Sequence, residues 1–510
     1  MKTKLFFVCS LLLCLSCNRL IEKNTDAMTI VAGTSKITGK IILPEGKNKD
    51  SIMITLNALH PILGENNRHE VLADQSGKFS LNFDVDTETS LIGLYTSIEP
   101  NKVLLLKPKN NDSTHIDIVY DVNLDFKNVE VTPAVNMSKY DMRQSMEVVN
   151  KMIDYRSKNP NAEYPRLYDK SIDEFLDYAK NNVAKKMALF VDNDNLLSKE
   201  TKGLIAKEYS LLLYTGHIFG YEAEMKRNYH NATQDRDGKP EIQKIDRSYF
   251  RFLKDFNLND PQYLHTFSFP EFQDSILQNE VLGLPKIGES DIPYWLTEVK
   301  AILADLVGFD QGPYYDILAA NAYGLQLREE ARPLTEKQKE NITHYWNNGE
   351  IAKILFRKNQ QVVELNKTKS PAVINDVASI APDKIMETIR SNYKDKVVCI
   401  DLWATWCAPC LGGIKQFSTV KGEFHDKDVV FVYITNGSSP KKLWEEKIKG
   451  IGNEHYYLTD AQWEYTMEQF GFDGIPSYLL YDQKGLLFNK FTGFPGNDAM
   501  KGMINALITK

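Results

Sequence analysis

The sequence predicts a multidomain chain with an N-terminal antiparallel β-sandwich, a central all-α domain and a C-terminal α/β domain. Apolar residues recur with a period of two over 36–135 and with a helical period over 136–367. Over 368–510 strand and helix patterns alternate, as they do when a central sheet is covered on both faces. A chain of 510 residues is also longer than a single core sustains. Its composition, 43% hydrophobic and 25% charged without a biased tract, is that of folded globular domains. The net charge of −7 comes with no basic stripe, so nucleic acid is not an expected partner.

Residues 1–4 are a short basic segment, and 5–16 form an apolar run too short to span a bilayer as a mature helix. The run ends in Cys14-Leu-Ser-Cys17. This resembles the lipobox of bacterial lipoproteins, with Cys14 standing where Leu is usual. The resemblance implies that 1–17 hold a lipoprotein signal peptide, with Cys17 the residue that carries lipid. It also implies an exported protein, periplasmic or in the cell envelope, anchored to the membrane through that lipid. Polar, patternless residues 18–35 read as a tether. Of six cysteines, Cys9 and Cys14 fall in the leader, and Cys399, Cys407 and Cys410 remain in the body. So few cysteines in an exported chain argue against a disulfide scaffold and for one working pair.

Within 36–135, six or seven short apolar or alternating runs are separated by turns such as Asp74-Gln-Ser-Gly77, the pattern of an antiparallel sandwich. From 136 to 367 the period is helical, interrupted by prolines that follow Asn159, Asp260, Phe269 and Arg332. Eight or more helices are expected there. Its many aromatic residues, among them Tyr209, Tyr249, Phe250, Trp295, Tyr314 and Tyr323, suit either a core or a binding groove, and helical spacing favours the core. His217, His230, His265 and His344 lack ligand spacing, so no metal site is expected.

In the last domain, strands are expected over 373–378, 397–403, 429–435 and 455–458, with a hairpin formed by 477–481 and 486–492. Helices are expected over 382–393, 440–450, 461–470 and 499–509, and one more begins at Cys407. A helix start offers unpaired N–H groups and the positive end of the dipole, and both favour a thiolate at Cys407. Cys410 follows one turn later, close enough to close a small disulfide ring and to act as resolving thiol. Pro409 suits a first helical turn because its missing N–H costs nothing there. Strand alternation puts Val397, Cys399 and Asp401 on one face, and a carboxylate on a buried strand has to be used or paired. Cys399 reads as a packed core thiol.

The stretch Asp401-Leu-Trp-Ala-Thr-Trp-Cys-Ala-Pro-Cys410 resembles the active-site signature of the thioredoxin superfamily, in its TlpA/ResA-like form. Phe472-Asp-Gly-Ile-Pro-Ser477 is similar to that family's Gly-Ile-Pro segment, whose proline is cis. The resemblance covers about 140 residues and implies a thioredoxin-like fold with Cys407 as nucleophile and Cys410 as resolving thiol. It further implies that Asp401 relays the proton of Cys410 and that a cis Pro476 presents the Ile475 backbone to an extended substrate, with Trp406 as an apolar rim. Trp403 and Pro409 are implied as structural positions beside the dithiol. The helix after Cys410 departs from the family pattern, reading Leu-Gly-Gly-Ile-Lys, and its paired glycines weaken it by about 1 kcal/mol each relative to Ala.

The function expected is extracytoplasmic thiol–disulfide exchange, reducing disulfides of exported proteins, with no cofactor beyond the Cys407–Cys410 couple. Its partners would be protein disulfides or dithiols and a membrane thiol electron donor. The Ala-Pro dipeptide between the cysteines has no His to stabilise a reduced thiolate, which tilts the expectation towards reduction. The alternatives are a disulfide isomerase or oxidase, or a binding or adaptor lipoprotein that carries an accessory redox module.

Overall fold

The computed structural model describes residues 29–47, 52–133, 137–155, 165–235, 238–367 and 371–508. The leader, Cys17 and most of the expected tether lie outside the described residues.

The first part contains β1 (Ile30–Ile42), β2 (Met53–His60), β3 (Glu65–Leu72), β4 (Lys78–Thr87), β5 (Ile92–Thr96), β6 (Leu104–Leu106), β7 (Ser113–Tyr120) and β8 (Phe126–Thr132). They form two four-stranded sheets, ordered β4-β1-β7-β8 and β3-β2-β5-β6. Alternate residues of both sheets, including Ile37, Ile54, Leu56, Leu94, Ile116 and Ile118, share one buried cluster. The pairing differs from the antiparallel expectation in one place, because β1 runs parallel to β7. Alternation in sequence fixes which face a side chain takes and says nothing about strand direction. β1 also begins at Ile30, inside the stretch expected to be tether. The turn before β4 needs its glycine: Gly77 has φ +84°, and a Cβ there would lie 2.3 Å from the Ile41 carbonyl oxygen.

Helices follow: α1 (Lys139–Asp154), α2 (Ile172–Phe190), α3 (Lys199–Leu213), α4 (Tyr221–Thr233), α5 (Phe269–Leu277), α6 (Ile292–Val307), α7 (Pro313–Glu329), α8 (Glu336–Trp346) and α9 (Glu350–Lys367). Capping boxes at Ser171/Glu174 and Thr335/Gln338 start α2 and α8. The aromatic residues of this region are largely core: whereas Tyr294 is exposed, Tyr209, Tyr249, Phe250, Trp295, Tyr314 and Tyr323 are all buried. They belong to packed clusters, and no groove is needed to account for them.

The helices grip the sheets through polar contacts. Asn321 of α7 donates to the carbonyls of Pro61 and Ile62 at 2.8 and 2.9 Å. Arg357 of α9 donates to the carbonyls of Gly33 and Val85 and, at 3.0 Å, to the fully buried Asp86. Lys358 lies 2.6 Å from Glu65. Burial alone would raise the proton affinity of Glu65, but the Lys358 ammonium, helped by Lys415 and His60, holds its pKa at about 2.

The last part contains β9 (Ala372–Asn375), α10 (Ile385–Ser391), β10 (Val397–Leu402), α11 (Ala408–Lys421), β11 (Val429–Asn436), α12 (Lys441–Ile451), β12 (Asn453–Leu458), α13 (Asp460–Phe470), β13 (Ser477–Tyr481), β14 (Leu487–Thr492) and α14 (Asn497–Ile508). Its six-stranded sheet has the order β14-β13-β10-β11-β12-β9. β10 pairs parallel with β11 and antiparallel with β13, so both its edges are occupied, and all six of its residues are buried. Val397 and Cys399 face a cluster with Phe417 of α11 and Ile504 of α14. Val398, Ile400 and Leu402 face one with Ile389 of α10 and Phe470 of α13. This domain meets the preceding helices where Gly450 of α12 packs on the Glu330 carbonyl.

Arg357→Met leaves the Asp86 carboxylate buried without its guanidinium. It is expected to lower the stability of the N-terminal part by on the order of 3 kcal/mol, read from the urea midpoint, because the buried carboxylate then keeps only His60, at 3.3 Å, as a charged partner.

Candidate active site

β10 ends at Leu402, and the chain turns through 403–406 into α11. Trp403 is fully buried, with its backbone N–H donating to the Ile434 carbonyl at 3.0 Å. The Thr405 N–H donates to the Ser439 hydroxyl, so this turn is tied to the end of β11. Trp406 points outward, 63% exposed, and its indole N–H donates to the Ser438 hydroxyl at 3.1 Å.

Cys407 is the N-cap of α11, and its sulfur accepts a hydrogen bond from the Cys410 N–H at 3.2 Å. The two cysteines are joined in a disulfide with Cα atoms 5.2 Å apart. Pro409 occupies the first helical turn. Cys407 is only 4% exposed, and Cys410 is fully buried. The cover over Cys407 is local: the Ile475–Pro476 peptide is cis, and the Ile475 carbonyl oxygen lies 3.7 Å from the Cys407 sulfur. Ile475 and Pro476 therefore sit beside the disulfide, and Trp406 forms the open side of the site.

Asp401 lies on the face of β10 that alternation assigns to it. A cavity of about 10 Å³ is lined by Asp401, Cys399, Tyr433, Tyr478, Gly413 and Phe494, among others. That is room for about one water molecule. Gly413 and Phe417 of α11 line it just past Cys410, so the carboxyl lies under the helix that carries the dithiol. One carboxyl oxygen of Asp401 has no hydrogen-bond partner. Burial raises its pKa to about 8, and the Tyr478 hydroxyl and Lys421 ammonium offset only part of that rise. Cys399, sharing the cavity wall, is a free buried thiol, and burial pushes its pKa up so that it stays protonated.

Tyr433 and Tyr478 escaped the sequence reading. Both stand directly across from Asp401, on β11 and β13. Their only signal is sheet register, which a single sequence does not carry. Gly413 also gains a reason, since a Cβ there would meet Phe494 at 3.0 Å, whereas Gly412 faces open space.

Among the described residues, no group of three or more His, Cys, Asp or Glu side chains could hold a metal ion, and no helix is long and apolar enough to cross a membrane.

The family model described as Redoxin matches residues 371–505. The thiol-disulfide oxidoreductase ResA of Geobacillus thermodenitrificans is 23% identical over 137 residues, covering 26% of this chain and 78% of the relative. ResA of Geobacillus kaustophilus is 24% identical over 123 residues, covering 23% of this chain and 70% of the relative. Among solved structures, the pneumococcal exposed lipoprotein thioredoxin Etrx1 of Streptococcus pneumoniae aligns at 24% identity with a TM-score of 0.21, covering 23% of this chain and 90% of that one.

Two outcomes are expected from this geometry. The folded protein holds the Asp401 proton up to pH about 8, while the unfolded chain releases it near the ordinary carboxylate value of 3.8. Stability therefore falls as pH rises between those values. Asp401→Asn removes that loss, so its melting temperature should exceed the parent's at pH 7, by on the order of 3 kcal/mol in stability, with the gap closing towards pH 4. In calorimetry at pH 7, Gly412→Ala should stabilise by about 1 kcal/mol through helix propensity, and Gly413→Ala should gain nothing because Phe494 must move.

Proposed function

We propose that this chain, whose C-terminal domain is a ResA-like redoxin domain of the thioredoxin superfamily, reduces disulfides of exported proteins. It is a thioredoxin-like thiol–disulfide oxidoreductase. The observation that carries the reading is the Cys407–Cys410 disulfide at the start of α11, with the buried Asp401 carboxyl under the same helix and the Ile475–Pro476 backbone beside it.

In the reductive direction the Cys407 thiolate attacks one sulfur of a substrate disulfide and releases the other as a thiolate. Asp401, ionised, takes the proton of the Cys410 thiol. The Cys410 thiolate then attacks the Cys407 sulfur and releases the second substrate thiolate, leaving the Cys407–Cys410 disulfide. Two electrons pass to the substrate, and a membrane thiol donor restores the dithiol. A substrate in extended form pairs with the Ile475 backbone and rests against the exposed ring of Trp406. Trp403 and Pro409 hold the turn and the first helical residues in place.

The leader 1–17 would export the chain, and lipid on Cys17 would hold it at the membrane of the periplasm or cell envelope. In that reading, the two sheets form a sandwich-like domain and the helices a second domain, and together they present the redox domain to its substrates.

Cys410→Ser leaves the mixed disulfide at Cys407 unresolved. Expressed in the native cell, it should accumulate covalent complexes with exported proteins, seen by mass spectrometry and lost on reduction, whereas Cys407→Ser/Cys410→Ser should capture none. Absence of captured proteins with Cys410→Ser would sink the proposal. The direction is tested separately by the reduction potential of the couple. A reductant should lie near the thioredoxin value of about −270 mV, and a value near the about −120 mV of strong oxidants contradicts it.

A further inference from the structure

We propose that Lys421 is a positioning residue for the proton step at Asp401, acting through Tyr433. The inference rests on the proposed role of Asp401 as acceptor of the Cys410 proton. Lys421 closes the last turn of α11, the helix whose first turn bears the dithiol. Its ammonium donates to the Tyr433 hydroxyl at 3.1 Å and to the Ile451 carbonyl at 3.0 Å. It also lies 4.8 Å from the centre of the Tyr433 ring and 5.5 Å from that of Phe431. The ammonium is therefore held against the two rings by named contacts, and a cation over an aromatic face is favoured there.

Two cavities place that charge. The inner one holds Asp401 and has Tyr433 and Phe431 in its wall. The outer one, of about 60 Å³, is lined by Lys421 and Ile451, again by Phe431, and by Leu365 of α9. Phe431 is thus a shared partition, and Tyr433 runs from its pairing with Asp401 to its hydrogen bond with Lys421. Through such an apolar wall a cation acts on a carboxyl with less screening than through water. The groups around Asp401 are Cys399 on its own strand, Tyr433 on β11, Tyr478 on β13 and Lys421 on α11. Beyond them, His455 of β12 stacks on the Tyr433 ring at 5.3 Å, and burial lowers its pKa to about 3, so it is neutral. Of these groups Lys421 alone is positively charged at neutral pH. It favours the carboxylate that the proton step needs. The outer cavity also brings the preceding helical region, through Leu365, into contact with the surroundings of that lysine.

The test is a pH–rate profile for single-turnover reduction of a peptide disulfide by the pre-reduced full chain, from pH 6 to 10. Lys421→Met should move the ascending limb up by about one pH unit, slowing reduction at pH 7 about tenfold and rejoining the parent at high pH. Lys421→Arg, which keeps the charge, should restore the parental limb. Tyr433→Phe, which removes the anchoring hydroxyl, should shift it in the same direction by less, and it serves if the Met variant fails to fold. Asp401→Asn is the control. If it changes the profile while Lys421→Met and Tyr433→Phe do not, the role of Lys421 is wrong and that of Asp401 stands. A loss that is uniform at every pH marks a merely structural lysine and overturns the proposal. If Asp401→Asn leaves the profile as it was, both roles fail together.

Discussion

The C-terminal domain depends on the burial of one carboxyl in its central strand. β10 has neighbours on both edges and helices over both faces, so all of its residues are out of water. Five of the six are apolar or a thiol, and the sixth is Asp401. A carboxyl with one oxygen unpartnered in that place is destabilising, and an apolar side chain of similar size would serve the core better. The cost is met by keeping the proton at pH values where ordinary carboxyls have lost theirs. A group poised near pH 8 is suited to exchange protons with a thiol, whose ordinary pKa is close to that value.

The rest of the site follows from how the strand ends. The turn 403–406 is fixed by hydrogen bonds to Ile434, Ser438 and Ser439, and it delivers Cys407 to the N-cap of α11. There the Cys410 N–H donates to its sulfur, while the Ile475 carbonyl of the cis Ile475–Pro476 peptide lies beside it. The result is a nearly buried disulfide that follows directly on the exposed Trp406. The larger part of the chain is coupled to this domain in an ordered way. α9 is locked to the N-terminal sheets by Arg357 and Lys358, and Leu365 near its end lines the cavity at the foot of α11. Lys415 of α11 in turn contributes to the charge environment of Glu65 on β3.

What could be read from the sequence was whatever depends on short spans of chain. Cys407 and Cys410 were legible because a helix start and a one-turn spacing are local. The face taken by Asp401 was legible because strand alternation has a period of two. Pro476 was reached through a resemblance of motif, since nothing in its neighbours marks a cis bond. The structure adds what register and packing decide. Tyr433, Tyr478 and Lys421 surround Asp401 only after three strands and a helix end are brought together. The parallel pairing of β1 with β7 was hidden for the same reason, because a strand's pattern is alike in either direction. The cover over Cys407 comes from a loop 68 residues away. Cys17 and the leader lie outside the described residues, so the proposed export and anchoring rest on their sequence.

Asp401 holds its proton in the folded protein until pH about 8. Infrared difference spectra between the parent and Asp401→Asn, recorded on the oxidised full chain from pH 4 to 10, measure this directly through the carboxylic acid C=O band. The band should persist at neutral pH and disappear with a midpoint near 8. Loss of the band below pH 5, as for a solvated carboxyl, would show that burial does not hold the proton.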